Sequence, residues 1–335
     1  VLARFGAAGE ALRAIPLLAE RGGGRASVAA ADAVEREIMA SRALGARYLL
    51  MGDADYPVLL DAMEGAPPAL IVKGDGALAA QPCVAMVGAR NASAAACRFA
   101  RTLAQDLGQR GAVVVSGLAR GIDTEAHRGS IETGTIGVIA CGIDVVFPPE
   151  NRDLQAEVAE RGLLVTEHPP GVQPLARHFP ARNRIIAGLA LGTVVVEAAP
   201  KSGSLITARL AGEAGREVMA VPGSPLDPRA QGCNELIRQG ATLVQNAADV
   251  MEAIGGFDAR MVRQGRFDFV GEPVSSDVAA GERAAVVALL GHAAVPVDEL
   301  IRLSGLSPAV VQTVLLELEL GGRLERHAGG RVSLV

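Results

Sequence analysis

The residues best equipped for chemistry lie in Phe179-Pro180-Ala181-Arg182-Asn183-Arg184-Ile185-Ile186-Ala187-Gly188. Its first six residues hold two arginines, an asparagine and a phenylalanine, in a chain that is only 3% aromatic. Guanidinium groups neutralise phosphate, and a ring gives a nucleobase a face to stack on. The apolar run Ile185–Ala187 then returns the chain to a core. The alternative is a surface loop whose arginines pair with local carboxylates, because most charge clusters are solvated faces.

Three further stretches bear on the same chemistry. Gly88-Ala89-Arg90-Asn91-Ala92-Ser93 ends an apolar run but keeps only the first glycine of G-x-G-x-x-G. A dinucleotide cofactor is therefore not expected, and an arginine at that point suggests a phosphate gripped by a side chain. No G-x-x-x-x-G-K-[ST] loop occurs, which argues against an intrinsic nucleoside triphosphatase. Lys201-Ser202-Gly203-Ser204 offers backbone N–H groups and two hydroxyls at a helix start, either an anion site or an ordinary serine N-cap. Asp123 and His127 lie four apart and could form a base pair of the Asp–His kind. A capping Asp with a partly buried His fits better, since no G-x-S-x-G nucleophile accompanies them. The five histidines form no ligand pair, so no metal is expected.

The elements that must position these residues follow from pattern. Short apolar runs at Cys83–Val87, Val113–Val115, Ile136–Ala140, Leu163–Thr166, Thr193–Val196 and Glu217–Val221 alternate with helical stretches, with a further strand at Thr242–Val244. That order indicates a parallel sheet covered on both faces. Ligands of such sheets sit outside the carboxyl ends of the strands. The geometry should thus gather Gly88, Arg90, Ser116, Gly117, Arg120, Gly142, Arg182, Arg184 and the Ser202-Gly203-Ser204 turn at one edge. Residues 1–45 read as helices broken at Gly22-Gly23-Gly24, and Asp55–Gly74 reads as an extended lead-in. Residues 256–280 read as a linker. Residues 281–335 read helix, helix, helix, hairpin, the order of a winged helix-turn-helix.

Composition sets limits. The 335 residues suffice for two or three domains, and half are hydrophobic. The net charge of −5 excludes a uniformly basic nucleic-acid binder, so phosphate binding must come from a local patch. Cys83, Cys97, Cys141 and Cys233 are scattered and read as reduced core residues of a cytoplasmic protein. No apolar run of 18 residues could span a membrane, and a first residue of valine implies a trimmed start.

These motifs, in this order, resemble the DprA/Smf family (DNA-processing protein A). Val87-Gly88-Ala89-Arg90, Ser116 through His127, Phe179 through Gly188, Val196-Glu197-Ala198 through Ala208, and Ala220-Val221-Pro222-Gly223 carry the likeness over roughly 80–245. The resemblance implies an α/β fold: an extended Rossmann-like parallel sheet with an N-terminal helical module and a C-terminal winged helix. The divisions expected are a SAM-like module at 1–50, a single-stranded-DNA-binding domain at 51–255, a linker at 256–280 and the winged helix at 281–335. It implies a homodimer, without cofactor or catalysis, that protects incoming single-stranded DNA. It also implies displacement of single-strand-binding protein and loading of the RecA recombinase, in natural transformation (competence) and homologous recombination. Carried over, Arg90 holds a phosphate aided by N–H groups after Gly88, Arg182 and Arg184 line the groove, and Ser202, Gly203 and Ser204 close it. Phe179 either contacts a base or anchors the core. Asn183, Lys201, Ser116, Gly117 and Arg120 complete the candidate set. Ala89 departs from the family, where serine is common, and removes one hydroxyl. The alternative on the same fold is a nucleotide-binding phosphoribohydrolase-like enzyme, but Pro200-Lys201-Ser202-Gly203-Ser204-Leu205 lacks that family's Pro-Gly-Gly-x-Gly-Thr turn.

The third helix of the winged helix, Ser307–Leu320, carries Glu317 and Glu319 and no Lys or Arg, and residues 281–335 hold five arginines against six acids. Duplex reading needs basic residues on that helix. We expect this domain to bind duplex DNA weakly and to serve as a protein-contact module; tight, salt-dependent duplex binding by residues 281–335 in a titration would overturn that.

Overall fold

Apolar runs of four or five residues form the strands, because only a sheet buried on both faces can remove every side chain of such a run from water. A computed structural model describes residues 5, 7–63, 65–255, 278–327 and 329–335. The expected linker falls mostly outside them. In chain order the elements are α1 (Ala8–Arg21), α2 (Ala31–Ala43), β1 (Arg47–Leu50), the single turn α3 (Val58–Asp61) and β2 (Ala69–Gly74). Then come β3 (Cys83–Val87), α4 (Ala94–Gln109), β4 (Val113–Ser116), α5 (Ile122–Ser130), β5 (Thr135–Val138), α6 (Arg152–Arg161) and β6 (Leu163–Thr166). The series continues with α7 (His178–Leu189), β7 (Gly192–Val195), α8 (Gly203–Glu213), β8 (Glu217–Ala220), α9 (Gln231–Arg238), β9 (Thr242–Leu243) and α10 (Ala247–Gly255). The last elements are α11 (Ala280–Ala288), β10 (Val295–Pro296), α12 (Val297–Ser304), α13 (Pro308–Leu320), β11 (Leu324–His327) and β12 (Arg331–Leu334).

The described residues from Glu35 to Gly255 make one compact unit. Its nine strands run in the order β1-β2-β6-β5-β4-β3-β7-β8-β9. The seven from β6 to β9 are parallel, as the apolar runs predict, while β2 joins β6 and β1 joins β2 antiparallel. The lead-in is therefore a short turn of helix followed by β2, which lies between β1 and β6, rather than extended throughout. Tyr56 anchors it, buried, with its hydroxyl donating to Pro67 O at 2.6 Å. Alternate residues of β3 feed two cores. Cys83, Ala85 and Val87 meet Ile185, Ile186 and Leu189 of α7 on one face, and Val84 and Met86 meet Leu103 and Leu107 of α4 on the other. Strand β3 has β4 on one side and β7 on the other, so the chain reverses its winding there and leaves a crevice at the carboxyl ends of β3 and β7.

The described residues up to Val34 and from Val278 onward make the second unit. Helices α11, α12 and α13 and the sheet β10-β12-β11 form a winged helix around Val286, Leu300, Val314 and Leu315. Helix α1 packs on α13. Their backbones approach so closely that a Cβ at Gly22 or Gly24 would overlap the carbonyl oxygens of Glu317 and Gly321. Glu317 is 1% exposed and accepts from Arg283 Nε at 2.7 Å. Among the described residues no single helix is long and apolar enough to cross a membrane.

Two helical glycines give opposed expectations. At Gly129 in α5 a Cβ would overlap the carbonyl oxygen of Arg101 in α4, whereas at Gly212 in α8 the nearest atom is a Val218 methyl at 3.7 Å. Gly129→Ala should cost about 1–3 kcal/mol through overpacking. Gly212→Ala should stabilise by up to about 0.5–1 kcal/mol through helix propensity. Urea midpoints of the two variants shifting in the same direction would contradict this packing.

Candidate functional site

Helix α7 sets the site. Its register places Phe179, Arg182, Asn183 and Ile186 on one face, the i, i+3, i+4, i+7 stripe of a helix. All four line a cleft of about 790 Å³ at the crevice between β3 and β7. Gly88 and Arg90 enter from the end of β3, and Lys201, Ser202, Gly203 and Ser204 from the turn before α8. Of the sequence candidates, these nine share the cleft.

Arg90 is exposed, lies 5.4 Å above the Phe179 ring, and has no acidic partner among the described residues. That geometry is a cation–π contact. The loop carrying it is held by Glu197 at the end of β7, which accepts from Ser93 N at 3.0 Å and from Ser93 Oγ at 2.7 Å. Ser93 in turn caps α4. Lys201 is also exposed without an acidic partner among the described residues, and its φ of 68° is in the left-handed region that lysine disfavours. Ser202 is the N-cap of α8, and its hydroxyl lies 2.8 Å from that of Ser204. The serine caps the helix, as one of the two sequence readings expects, and the turn at the helix N-terminus lines the cleft.

The remaining candidates are placed differently. Arg182 is only 4% exposed and donates to Gly117 O at 2.6 Å and to Val138 O. Burial pulls its guanidinium down to about 10, and Asp123 opposes the shift, so the charge persists at neutral pH. Its cationic edge is committed to the sheet, and it serves the cleft as a floor. Arg184 lies outside the cleft: it donates to Gly65 O at 2.7 Å and pairs with Glu167, tying α7 to the lead-in. Ser116 Oγ donates to Met86 O at 2.6 Å and is fully buried. Gly117 and Arg120 line a smaller cavity of about 220 Å³ beside the cleft. Sequence reasoning missed Asn91, Thr207 and Arg229, which also line the cleft. Arg229 is paired with Asp227 at 2.9 Å, and nothing in its local sequence marked it.

Asp123 and His127 staple the turn after β4 instead of forming a dyad. Asp123 Oδ2 accepts from Gly117 N at 3.1 Å and from Ala119 N at 3.3 Å. A carboxylate of the protein thus occupies the N–H groups that an external anion would otherwise take in this turn. Burial pushes its carboxyl up, while Arg182 and the two N–H groups oppose. His127 Nε2 accepts from Leu118 N at 3.3 Å, which places the ring proton on Nδ1, 2.7 Å from Thr135 Oγ1. Burial pushes this imidazole down to about 3, and Arg182 adds to the shift. Asp123, the carboxylate in the cleft lining, is therefore occupied. Among the described residues no group of three His, Cys, Asp or Glu side chains is placed to hold a metal ion.

The neutral, buried His127 has a consequence for stability. Its native pKa lies below the unfolded value of about 6.5, so only the unfolded chain takes a proton between the two. Its contribution is complete above about pH 6.5 and declines as pH falls towards 3, by up to about 1.4 kcal/mol per pH unit. His127→Gln should flatten the acid limb of stability against pH by that slope; the difference between the two proteins cancels the carboxylates. Parallel acid limbs in urea unfolding would show that the ring is not held neutral.

Comparison with known proteins agrees with this architecture. The family described as DNA recombination-mediator protein A matches residues 47–255, the DprA winged helix domain 271–330, and the DprA-like N-terminal HHH domain 1–40. The chain is 46% identical over 201 residues to DNA processing protein DprA of Streptococcus pneumoniae, covering 59% of this chain and 71% of that one. It is 38% identical over 291 residues to protein Smf of Escherichia coli, covering 86% and 77%. The X-ray structure of the Streptococcus pneumoniae protein superposes with a TM-score of 0.63 at 40% identity, covering 69% of this chain and 79% of that one. DNA processing protein A from Helicobacter pylori, whose structure addresses a unique single-stranded DNA binding mode, superposes with a TM-score of 0.56 at 30% identity, covering 61% and 94%.

Proposed function

The chain belongs to the DprA/Smf family of DNA recombination mediators, and from that premise we propose that the cleft between β3 and β7 binds single-stranded DNA without reading its sequence. One observation carries the reading. In a chain of net charge −5, two exposed cations without acidic partners among the described residues, Arg90 and Lys201, face one open cleft. A helix N-terminus and an aromatic ring complete it. Phosphates supply most of the affinity of such a surface, and ring stacking tolerates any base. The Helicobacter pylori relative supports the single strand as the ligand. Base-edge readout would need several donors and acceptors converging on one base. In the cleft Asn183, Ser202 and Ser204 instead border the helix N-terminus, where they suit a phosphate.

On this reading the protein is a binding protein and not an enzyme, and it acts in the cytoplasm. Its roles as a homodimer, in displacing single-strand-binding protein, in loading RecA and in transformation rest on family membership. The geometry of the cleft supports the DNA-binding part alone.

The test is fluorescence anisotropy of labelled oligo-dT and a matched duplex at several salt concentrations. Wild type should prefer the single strand. Arg90→Ala and Lys201→Gly should each weaken that binding by about 1–3 kcal/mol. Each should also flatten the slope of log affinity against log salt by about 0.7, the value for one phosphate contact in a single strand. Glycine accepts the positive φ at 201, so this variant removes charge without straining the turn. Wild-type affinity and slope in both variants would remove the cleft as the DNA site.

A further inference from the structure

Beside the main cleft, and sharing Arg90, Ala119, Phe179 and Arg182 with it, lies the cavity of about 220 Å³. Its outer wall is Phe147, followed by Pro148 and Pro149, with Arg120 at the rim. Phe147 is 40% exposed, in a fold that buries most of its large apolar side chains. Its ring centroid is 5.5 Å from that of Phe179, with the planes tilted by 54°. That separation leaves no room for a base between the rings. Arg90 lies over Phe179 and Phe147 meets the same ring at a tilt, so Phe147 adds a second exposed aromatic surface beside it.

The platform is rigid. On one side of Phe147, Val145 O accepts from Gln155 Nε2 at 2.9 Å and from Cys141 Sγ at 3.3 Å. On the other, Asn151 is buried, and its Nδ2 donates to Leu118 O at 2.8 Å and to Thr124 Oγ1 at 2.9 Å. The loop is thereby tied to the turn that Asp123 and His127 staple. An exposed ring on a loop held from both ends costs little entropy when a ligand settles on it. Arg182 closes the floor of the cavity, buried and donating to Gly117 O and Val138 O. Among the described residues Arg120 pairs with Glu150 at 3.8 Å, both exposed, a contact weak enough to leave it available to a backbone phosphate.

We propose that Phe147 is a second nucleobase platform, on which a base of the bound strand stacks beyond the position occupied at Phe179, with Arg120 taking the adjoining phosphate. The strand would then run from the α8 N-terminus past Arg90 and Phe179 to Phe147 and Arg120. The inference rests on the single-strand reading of the cleft and adds a subsite to it.

The test compares wild type, Phe147→Ala, Phe147→Leu and Phe147→Tyr on oligo-dT and on an abasic oligonucleotide of the same length and charge. Stacking on one ring is worth enough that Phe147→Ala should lose about fivefold or more in affinity for oligo-dT. It should lose nothing on the abasic strand, and its salt slope should be unchanged. Phe147→Leu keeps apolar volume for the fold and should lose affinity in the same selective way, whereas Phe147→Tyr should bind as wild type. A 2-aminopurine scanned along the strand should be quenched by wild type at the position that stacks on Phe147, and Phe147→Leu should lose the quenching at that position while keeping it at the one on Phe179. Equal affinities of wild type and both non-aromatic variants for oligo-dT, or equal losses on both strands, would overturn the platform and leave the cleft intact. A wild type that does not prefer single strand to duplex would overturn the cleft reading, and the platform with it.

Discussion

The site depends on a charge kept almost entirely from solvent. Arg182 lies almost fully enclosed at the carboxyl ends of β4 and β5, where its guanidinium donates to Gly117 O and Val138 O. A buried cation is tolerated only when paired and hydrogen-bonded. Asp123 supplies the countercharge from α5, and the same carboxylate holds the N–H groups of Gly117 and Ala119. One interaction therefore fixes the rotation of α7, the turn after β4 and the start of α5 together. Phe179 and Asn183 face the cleft because they share a helix face with an arginine that cannot turn away.

That buried framework separates two uses of positive charge. Arg182 and Arg184 hold the protein together, one to the sheet and one to the lead-in. Arg90 and Lys201 have no acidic partner among the described residues and remain available to a polyanion. A chain with a net charge of −5 can bind phosphates only if such cations are concentrated and kept from its own carboxylates. Here Asp123, which lines the cleft, is engaged by backbone N–H groups, and Glu197 is engaged by Ser93.

The second unit uses its third helix in an unexpected way. In a DNA-reading winged helix that element presents polar and basic side chains to the major groove. Here α13 buries Val311, Val314, Leu315 and Leu318 together with Glu317, because α1 covers part of the surface that the winged-helix core leaves open. A helix apolar nearly all round must be enclosed. The absence of Lys and Arg from its sequence and its burial in the fold are the same fact seen at two levels.

Much of the architecture was legible in the chain. The runs Cys83–Val87 and Leu163–Thr166 are strands to the residue, since a two-sided sheet demands unbroken apolar side chains over that length. Ser93, Ser202 and Ser307 cap the helices they precede. The edge strand β1 was not legible, because only Leu49 of its four residues is buried, and β2, with its apolar run Leu70–Val72, reads only as part of an extended lead-in. Nor were the separate roles of the arginines. Read as a loop, Phe179 through Gly188 makes Arg182 and Arg184 equivalent; read as a helix, the 3.6-residue period sets 184 apart from 179, 182, 183 and 186. That period could have excluded Arg184 from the cleft. It could not have shown that Arg182 is buried, or that Phe147 meets Phe179 from 32 positions away. Sequence alone determined the sheet, the caps and the supply of charge, which are set by local pattern and composition. The tertiary structure alone decided which cations are neutralised within the protein and which are left for a ligand, because partnership between charges depends on distances that only the folded chain defines.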